Sequence, residues 1–301
     1  MRDSDTPPIT VIMPVKNGMP FLPEAVDSVL RQTFGEFQFL IIDDGSTDET
    51  PRYLESLGDP RVRVVRHETS QGVARSLNEG LALCTTPFIA RQDADDISEP
   101  ERLERQMRFM TEHPECIVLG TQGHKVDEAG NDLEPYAHRP SDENELRSLL
   151  LLSPPFIHGS VLMRREPVLR AGGYRDKIRF AEDYDLWLRL EAPHALANLP
   201  EVLYRYRVHG SQICTAFQSD ATLDCLLCRV LHTERLCTRD EDSLTELQSS
   251  DIEAIKLRSM WRPRGSWRRR VRVLWHYGKL LESDSPRRAM AAKFLAWTGG
   301  W

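Results

Sequence analysis

The chain opens on Ile9–Val15, a β-rich apolar run, and residues 21–32 follow with Leu22, Ala25, Val26, Val29 and Leu30 at helical spacing. This strand-then-helix unit recurs. Residues 37–42 precede a helix over 49–57, residues 62–65 precede one over 72–84, and residues 88–90 precede a long helix over 101–112. Nearly all-apolar strands, each followed by a helix, predict a parallel sheet covered on both faces. Right-handed crossovers make it a doubly wound, mostly parallel α/β sheet of the nucleotide-binding type. Past residues 117–120 the regularity fades, and the polar, Gly- and Pro-dotted stretch 123–140 predicts a hairpin or loop excursion. A helix resumes over 142–152, a buried strand over 159–163, a helix over 182–190 and one or two final strands over 195–208. From about residue 219 the pattern turns mainly helical, which divides the chain into 1–218 and a helical C-terminal region, 219–301.

Composition narrows the classes. At 301 residues, with 40% hydrophobic and 28% charged residues, the chain can bury a large core. A net charge of −7 disfavours a general nucleic-acid binder. The first eight residues show no export pattern, and no stretch reaches the roughly 18 apolar residues needed to span a bilayer. Six cysteines without an export signal read as reduced thiols, which predicts a cytoplasmic protein.

In open α/β sheets ligands bind beyond the carboxyl ends of the strands. Four polar clusters stand at such places or open a helix: Pro14-Val15-Lys16-Asn17-Gly18, Asp43-Asp44-Gly45-Ser46-Thr47-Asp48, Asp93-Ala94-Asp95-Asp96 and Glu182-Asp183-Tyr184-Asp185. Three carboxylates within 93–96 are costly to crowd unless a cation offsets them, and hard oxygen ligands suit Mg²⁺ or Mn²⁺ completed by substrate phosphates. A solvated turn or helix cap is the plainer reading. Asp43 and Asp44 are placed to accept hydrogen bonds from a base imide or a ribose hydroxyl, whereas capping accounts only for Ser46 to Asp48.

These clusters, together with Ser28-Val29-Leu30-Arg31-Gln32-Thr33-Phe34, Gly72-Val73-Ala74-Arg75-Ser76-Leu77-Asn78, His158-Gly159-Ser160 and Tyr204-Arg205-Tyr206-Arg207-Val208-His209, resemble the family-2 inverting glycosyltransferases of GT-A fold. The resemblance runs in order over about residues 9–213. It implies that Pro14, Lys16 and Asp44 line the nucleotide pocket, with Asn17, Asp43, Arg75 and Ala94 in the same donor-side set, and that Asp93 contacts the nucleotide sugar. Asp95 would hold Mn²⁺ or Mg²⁺ on the diphosphate, His209 would close the site near diphosphate or metal, and Asp183 would be the general base. His158, Glu182 and Trp187 fall on the acceptor side. The implied activity is metal-dependent, inverting transfer of a hexose-type sugar from a nucleotide diphosphate, UDP by analogy, to a hydroxyl of a glycan or lipid-linked acceptor in cell-surface polysaccharide or glycolipid synthesis. Two competitors are a sugar-phosphate nucleotidyltransferase, which would show a Gly-rich phosphate loop, and a non-catalytic nucleotide-sugar binder, against which Asp93, Asp95 and Asp183 all speak.

Several features stay open between chemistry and packing. Trp187 with Leu186, Leu188 and Leu190 fits helix packing better than acceptor stacking. Arg75 and Asn78 reach the nucleotide or form a solvated helix face; His158 faces the acceptor or is an interior histidine. Cys225, Cys228, His232 and Cys237 approach zinc-site spacing, but the stripe Leu223, Leu226, Leu227, Val230 and Leu231 favours a packed helix. Between Lys256 and Lys279 stand nine Lys or Arg, no acid, and Trp261, Trp267 and Trp275; a peripheral contact with an anionic membrane's inner face and helices packed on the core explain this equally.

Overall fold

The computed structural model describes residues 7–191 and 195–210 with Gln212, Asp224, Cys225, Cys228, Arg229 and His232. The basic segment between Lys256 and Lys279, Cys237 and most of the region from 219 lie outside the described residues. The first part of the chain runs β1 (Ile9–Val15), α1 (Leu22–Leu30), β2 (Phe37–Asp43), α2 (Thr50–Glu55), β3 (Val62–Arg66), α3 (Val73–Leu83) and β4 (Phe88–Arg91). There follow β5 (Ile97–Ser98), α4 (Arg102–Glu112), β6 (Val118–Val126), β7 (Asp132–Pro135), α5 (Glu143–Leu150), a 3-10 turn (His158–Ser160), β8 (Leu162–Arg164), α6 (Arg165–Arg170), α7 (Glu182–Arg189) and β9 (Leu196–Arg207).

Strand alternation divides the interior into two cores. Ile9, Val11, Met13 and Val15 of β1 and Phe37, Phe39 and Ile41 of β2 point to one face, where α1 and α4 add Leu22, Val26, Leu103 and Met110. Ile12, Leu40 and Ile42 point to the other, met by Leu77 and Leu81 of α3, Leu146 and Leu150 of α5, and Tyr184, Leu186 and Trp187 of α7. The sheet runs β3-β2-β1-β4-β8-β6-β9-β5, with β7 paired to β6. β3, β2, β1 and β4 are mutually parallel. β8 lies antiparallel between β4 and β6, β9 is parallel to β6, and β5 is antiparallel to β9, so the sheet as a whole is mixed. Parallel pairing puts the carboxyl ends of β1, β2 and β4 on one edge, with Val15 opposite Asp43 and Ile12 opposite Arg91.

Local departures have local causes. The expected strand over 159–163 begins as the 3-10 turn because Ser160 Oγ donates to Ile157 O at 2.8 Å and closes it, leaving only Leu162–Arg164 to pair. The excursion over 123–140 is the β6–β7 hairpin, with His124 opposite Pro135. α6 buries only Val168, too little apolar periodicity to read from sequence. In β6, a Cβ on Gly120 would lie 2.6 Å from Phe156 Cδ1 and overlap the Asn198 side chain, whose Nδ2 donates to Pro140 O and Pro155 O at 3.1 Å each. Gly120→Ala is therefore expected to destabilise the protein by about 1–3 kcal/mol through overpacking, seen as a lower urea midpoint with the slope of unfolding unchanged.

Candidate active site

The edge expected to hold the donor is built where β1 and β2 end. Asn17, exposed and at φ 53, ties the two loops together: its N–H donates to Ser46 Oγ at 2.8 Å and its Oδ1 accepts from Thr47 N at 2.8 Å. Gly18 N donates to Thr50 Oγ1 at 2.8 Å. Lys16 beside it is exposed, and Pro14 is half-buried. Asp43 accepts from Ser46 N at 2.9 Å on one oxygen and faces Arg66 Nε at 3.3 Å with the other. Asp44 accepts from His67 Nδ1 (2.7 Å) and Gln71 N (2.7 Å) on Oδ1 and from Ser70 Oγ (2.7 Å) and Gly72 N (2.9 Å) on Oδ2. Burial opposes its charge, yet the four donors together hold its pKa down at about 2. All its acceptor positions are filled by the 67–72 loop, so a nucleobase reaching Asp44 must displace one of them. Gly45, at φ 70, allows this approach: a Cβ there would lie 2.9 Å from Ser70 N.

Beyond β4 the acids divide by role. Asp96, 1% exposed, accepts from Arg207 N at 2.8 Å and is raised well above the carboxylate range by burial and by Asp95; it fastens β9 and does not face a ligand. Asp95 is one-third exposed, and its Oδ2 meets His209 Nε2 at 2.9 Å. His209 packs on Phe21, ring centroids 4.7 Å apart, and Arg207 Nε holds Asp95 O at 2.8 Å. Asp93 pairs with Arg91 Nη2 at 2.7 Å, and its N–H donates to Tyr204 Oη at 3.2 Å. Burial raises its pKa and Arg91 pulls the other way. Ala94 between them is half-buried against the core. Gly159 lets these groups meet, since a Cβ there would lie 2.5 Å from Asp93 Oδ2 and overlap the Tyr204 hydroxyl.

Asp183 stands half-buried in the first turn of α7, with Oδ1 accepting from Tyr184 N at 2.7 Å. Burial pushes its pKa up to about 6, with Arg91 lowering and Asp93 raising it. Glu182, 8% exposed, is pushed up to about 8 by burial and by Asp183. His158 Nε2 meets Tyr174 Oη at 3.0 Å, and burial and Arg91 drive its pKa well down, so the ring is neutral. Asp183, Glu182, His158, Asp93 and Arg91 thus share one electrostatic neighbourhood.

Two expected site residues are elsewhere. Trp187 is fully buried, edge-on to Phe156 at 5.4 Å, so it packs and presents no face to an acceptor. Arg75 pairs with Asp176 at 3.0 Å, while Asn78 donates to Tyr174 O at 2.6 Å and accepts from Tyr174 N at 2.8 Å. Asn78 thus fastens the 174–176 segment to α3, while Arg75 pairs with Asp176 on an exposed helix face, as one of its two sequence readings has it. Cys228 is buried with its thiol 3.7 Å from Ala181 O, the packing role expected of it. Among the described residues no three His, Cys, Asp or Glu side chains converge as a metal-binding group.

Sequence reasoning missed Arg91 and Tyr174, and it quoted Tyr204 only within the closing stretch 204–209, with no role of its own. Arg91 is 3% exposed, and the available signal was a base ending an otherwise apolar strand directly before the acids. The two tyrosines act only across long separations and left no local signal.

Known proteins are similar to this chain in sequence and in fold. The family model described as Glycosyl transferase family 2 matches residues 10–171. The chain is 34% identical over 210 residues to the glycosyltransferase EpsE of Bacillus subtilis (strain 168), covering 67% of this chain and 73% of that protein. It is 33% identical over 198 residues to the amylovoran biosynthesis glycosyltransferase AmsE of Erwinia amylovora, covering 64% and 72%. In fold it resembles S. aureus TarS in complex with UDP-GlcNAc, at TM-score 0.62 and 19% identity over 91% of this chain and 80% of that one. It also resembles the mannosyltransferase PcManGT from Pyrobaculum calidifontis in complex with GDP-Man and Mn²⁺, at TM-score 0.58 and 18% identity over 97% and 80%.

The acid pair carries a stability signature. Carboxyls whose pKa rises on folding contribute stability that is complete below their unfolded value, and it is lost as pH rises, through about 6 for Asp183 and about 8 for Glu182. Thermal melts across pH are expected to show this decline, and Glu182→Gln should remove the part between pH 6 and 8. An undiminished slope there in the variant would assign the proton to another group.

Proposed function

The chain belongs to glycosyltransferase family 2, and from that premise we propose that it transfers a hexose-type sugar from a UDP-sugar to a hydroxyl acceptor with inversion at the anomeric carbon. The observation that carries this reading is the half-buried Asp183 carboxyl in the first turn of α7, which burial raises to about 6 against the pull of Tyr184 N and Arg91, so that it is ionised near neutrality and still basic enough to take a proton. The acceptor hydroxyl gives its proton to Asp183 as its oxygen bonds to the anomeric carbon from the face opposite the leaving group. The bond from that carbon to the phosphate oxygen breaks, and the nucleoside diphosphate leaves with the electron pair. A single displacement inverts the centre. Asp93, held by Arg91, is placed for the sugar and ribose hydroxyls, and the Asn17 and Asp43–Asp44 loops border the base. His158 and Glu182, neutral near pH 7, can donate or accept on the acceptor side.

The residues fit a divalent metal. Asp95 and His209 bring an oxygen and a neutral-capable nitrogen within 2.9 Å of each other, and Mg²⁺ or Mn²⁺ commonly takes only one or two protein ligands and completes its shell with phosphates and water. When bound, such an ion offsets the charge on the departing diphosphate. Relatives named for amylovoran and O-antigen biosynthesis support a glycan acceptor in polysaccharide synthesis; a lipid-linked acceptor at the cytoplasmic side of a membrane belongs to the same proposal. Among the described residues no helix is long and apolar enough to cross a membrane. The basic, Trp-containing segment between Lys256 and Lys279 supports a peripheral contact. Division into a transferase region, 1–218, and a helical region from 219 remains the working organisation.

Thermal shift with UDP-glucose, UDP-galactose, UDP-GlcNAc and GDP-mannose, with and without Mn²⁺, identifies the donor. Asp95→Ala is expected to abolish the Mn²⁺-dependent part of that shift while the metal-free part persists; a full Mn²⁺ response in the variant removes Asp95 from the metal site. For the preferred donor, release of nucleoside diphosphate should rise with pH through about 6 in wild type. Asp183→Asn should lower it about 10²–10⁴-fold with donor affinity nearly intact. Full turnover in that variant defeats the base assignment.

A further inference from the structure

Asp224, Cys228 and His232 are helical and recur at four-residue spacing, the repeat that places side chains on one helix face. Each touches one end of α7. Asp224, fully buried, accepts the N–H groups of Arg179 at 3.1 Å and Phe180 at 3.0 Å, immediately before Ala181, which caps α7. Cys228 places its thiol 3.7 Å from Ala181 O. His232 Nε2 lies 3.2 Å from Glu191 Oε2, just past the other end. Cys225 is near as well: its thiol is pushed up to about 12 by burial, with Asp183 the next contributor.

α7 has eight residues and Ala181 offers it no side-chain cap, so its placement depends on external anchors. On one side Asp185 pairs with Arg189 at 2.7 Å and Arg175 at 3.1 Å. On the other stands the Asp224 face. We propose that the face carrying Asp224, Cys228 and His232 positions Asp183 for deprotonation of the acceptor, which makes this part of the C-terminal region a working component of the transferase. The proposal rests on the reading of Asp183 as the base. Asp224 acts through the backbone, which it fixes three and four residues before Asp183. A general base must stand within about 2.6–3.2 Å of the proton it takes, and a shift of about 1 Å can cost about 10²-fold.

The test uses the full-length chain with Mn²⁺ and whichever of UDP-glucose, UDP-galactose or UDP-GlcNAc gives the fastest UDP release, water serving as acceptor. Asp224→Ala is expected to lower kcat about 10–100-fold with donor KM within about twofold. Asp224→Asn keeps an oxygen for both N–H groups and should retain at least about a third of wild-type kcat. On the residual turnover of Asp183→Asn, Asp224→Ala should add less than about threefold, because the carboxylate it positions is gone. Should Asp224→Ala fail to fold, His232→Ala is expected to give the same pattern at about threefold. Unchanged kcat in the folded variant, a donor KM rising in step with the loss, or effects that multiply in the double variant each overturn the proposal. Asp183→Asn with wild-type turnover instead removes the base reading on which it stands.

Discussion

Burial of the Arg91 guanidinium among carboxyl groups is the constraint from which the site takes its form. A buried charge is tolerated only when paired and hydrogen-bonded. Here Asp93 pairs with Nη2 at 2.7 Å and Gln92 O accepts from Nη1, while Nε makes no hydrogen bond among the described residues. The backbone carrying these groups is braced from behind by a second buried guanidinium, Arg102, which donates to Gln92 Oε1 at 2.9 Å, Ser98 Oγ at 2.6 Å and Arg91 O at 2.5 Å. Arg102 has neutral partners, and burial lowers its pKa to about 10; it is a brace, not a counter-ion. Arg91 is the cation whose field lowers the pKa of Asp93, Asp183 and Glu182 alike, so removing it would make each of them harder to ionise.

Around that centre, contacts link segments far apart in sequence. The 67–72 loop wraps Asp44, and Asn17 ties the β2 turn to the β1 turn. Phe21, at the start of α1, packs on His209, which reaches Asp95. Asp95 and Asp93 flank Ala94, and Arg91 carries the field across to α7. Arg207 locks the passage: it binds Glu24 of α1, the carbonyls of Asp127 and Glu128, and Asp95 O. The β1 and β2 turns and the Asp95–His209 pair are therefore joined by side-chain contacts, and Asp183 lies in the field of Arg91 beside them.

The sheet and the position of the acids at its strand ends were legible because strand alternation and strand-end polarity are local properties. Ile12 and Val11 fall into opposite cores as their spacing predicts, and Asp93 and Asp95 stand just past β4 as their position predicts. Long-range pairing was not legible. Arg75 and Asp176 are 101 residues apart, so nothing near Arg75 in the sequence distinguishes a clamp from a solvated face. The acidic run 93–96 looked uniform, yet Asp96 serves β9 through Arg207 N, a partner 111 residues away. The approach to a zinc motif at Cys225 and Cys228 reflects helical recurrence, and the four-residue repeat continues through Asp224 and His232 onto α7.

Adjacent acids with different proton affinities explain why Asp183 and not Glu182 suits the base. Near neutrality Glu182, at about 8, keeps its proton and Asp183, at about 6, has lost its own, so the pair carries one negative charge. Asp183 also sits in the first turn of α7, where backbone N–H groups favour an anion, and takes one of them from Tyr184. In the proposed transfer Asp183 takes the acceptor's proton and the pair loses its charge, just as negative charge builds on the departing diphosphate. The buried centre thus undergoes a relocation of charge from acceptor side to donor side, not a net gain. A doubly ionised 182–183 pair would have to be neutralised twice to reach the same end state, which is the physical reason for burying Glu182 deeply enough to keep it protonated.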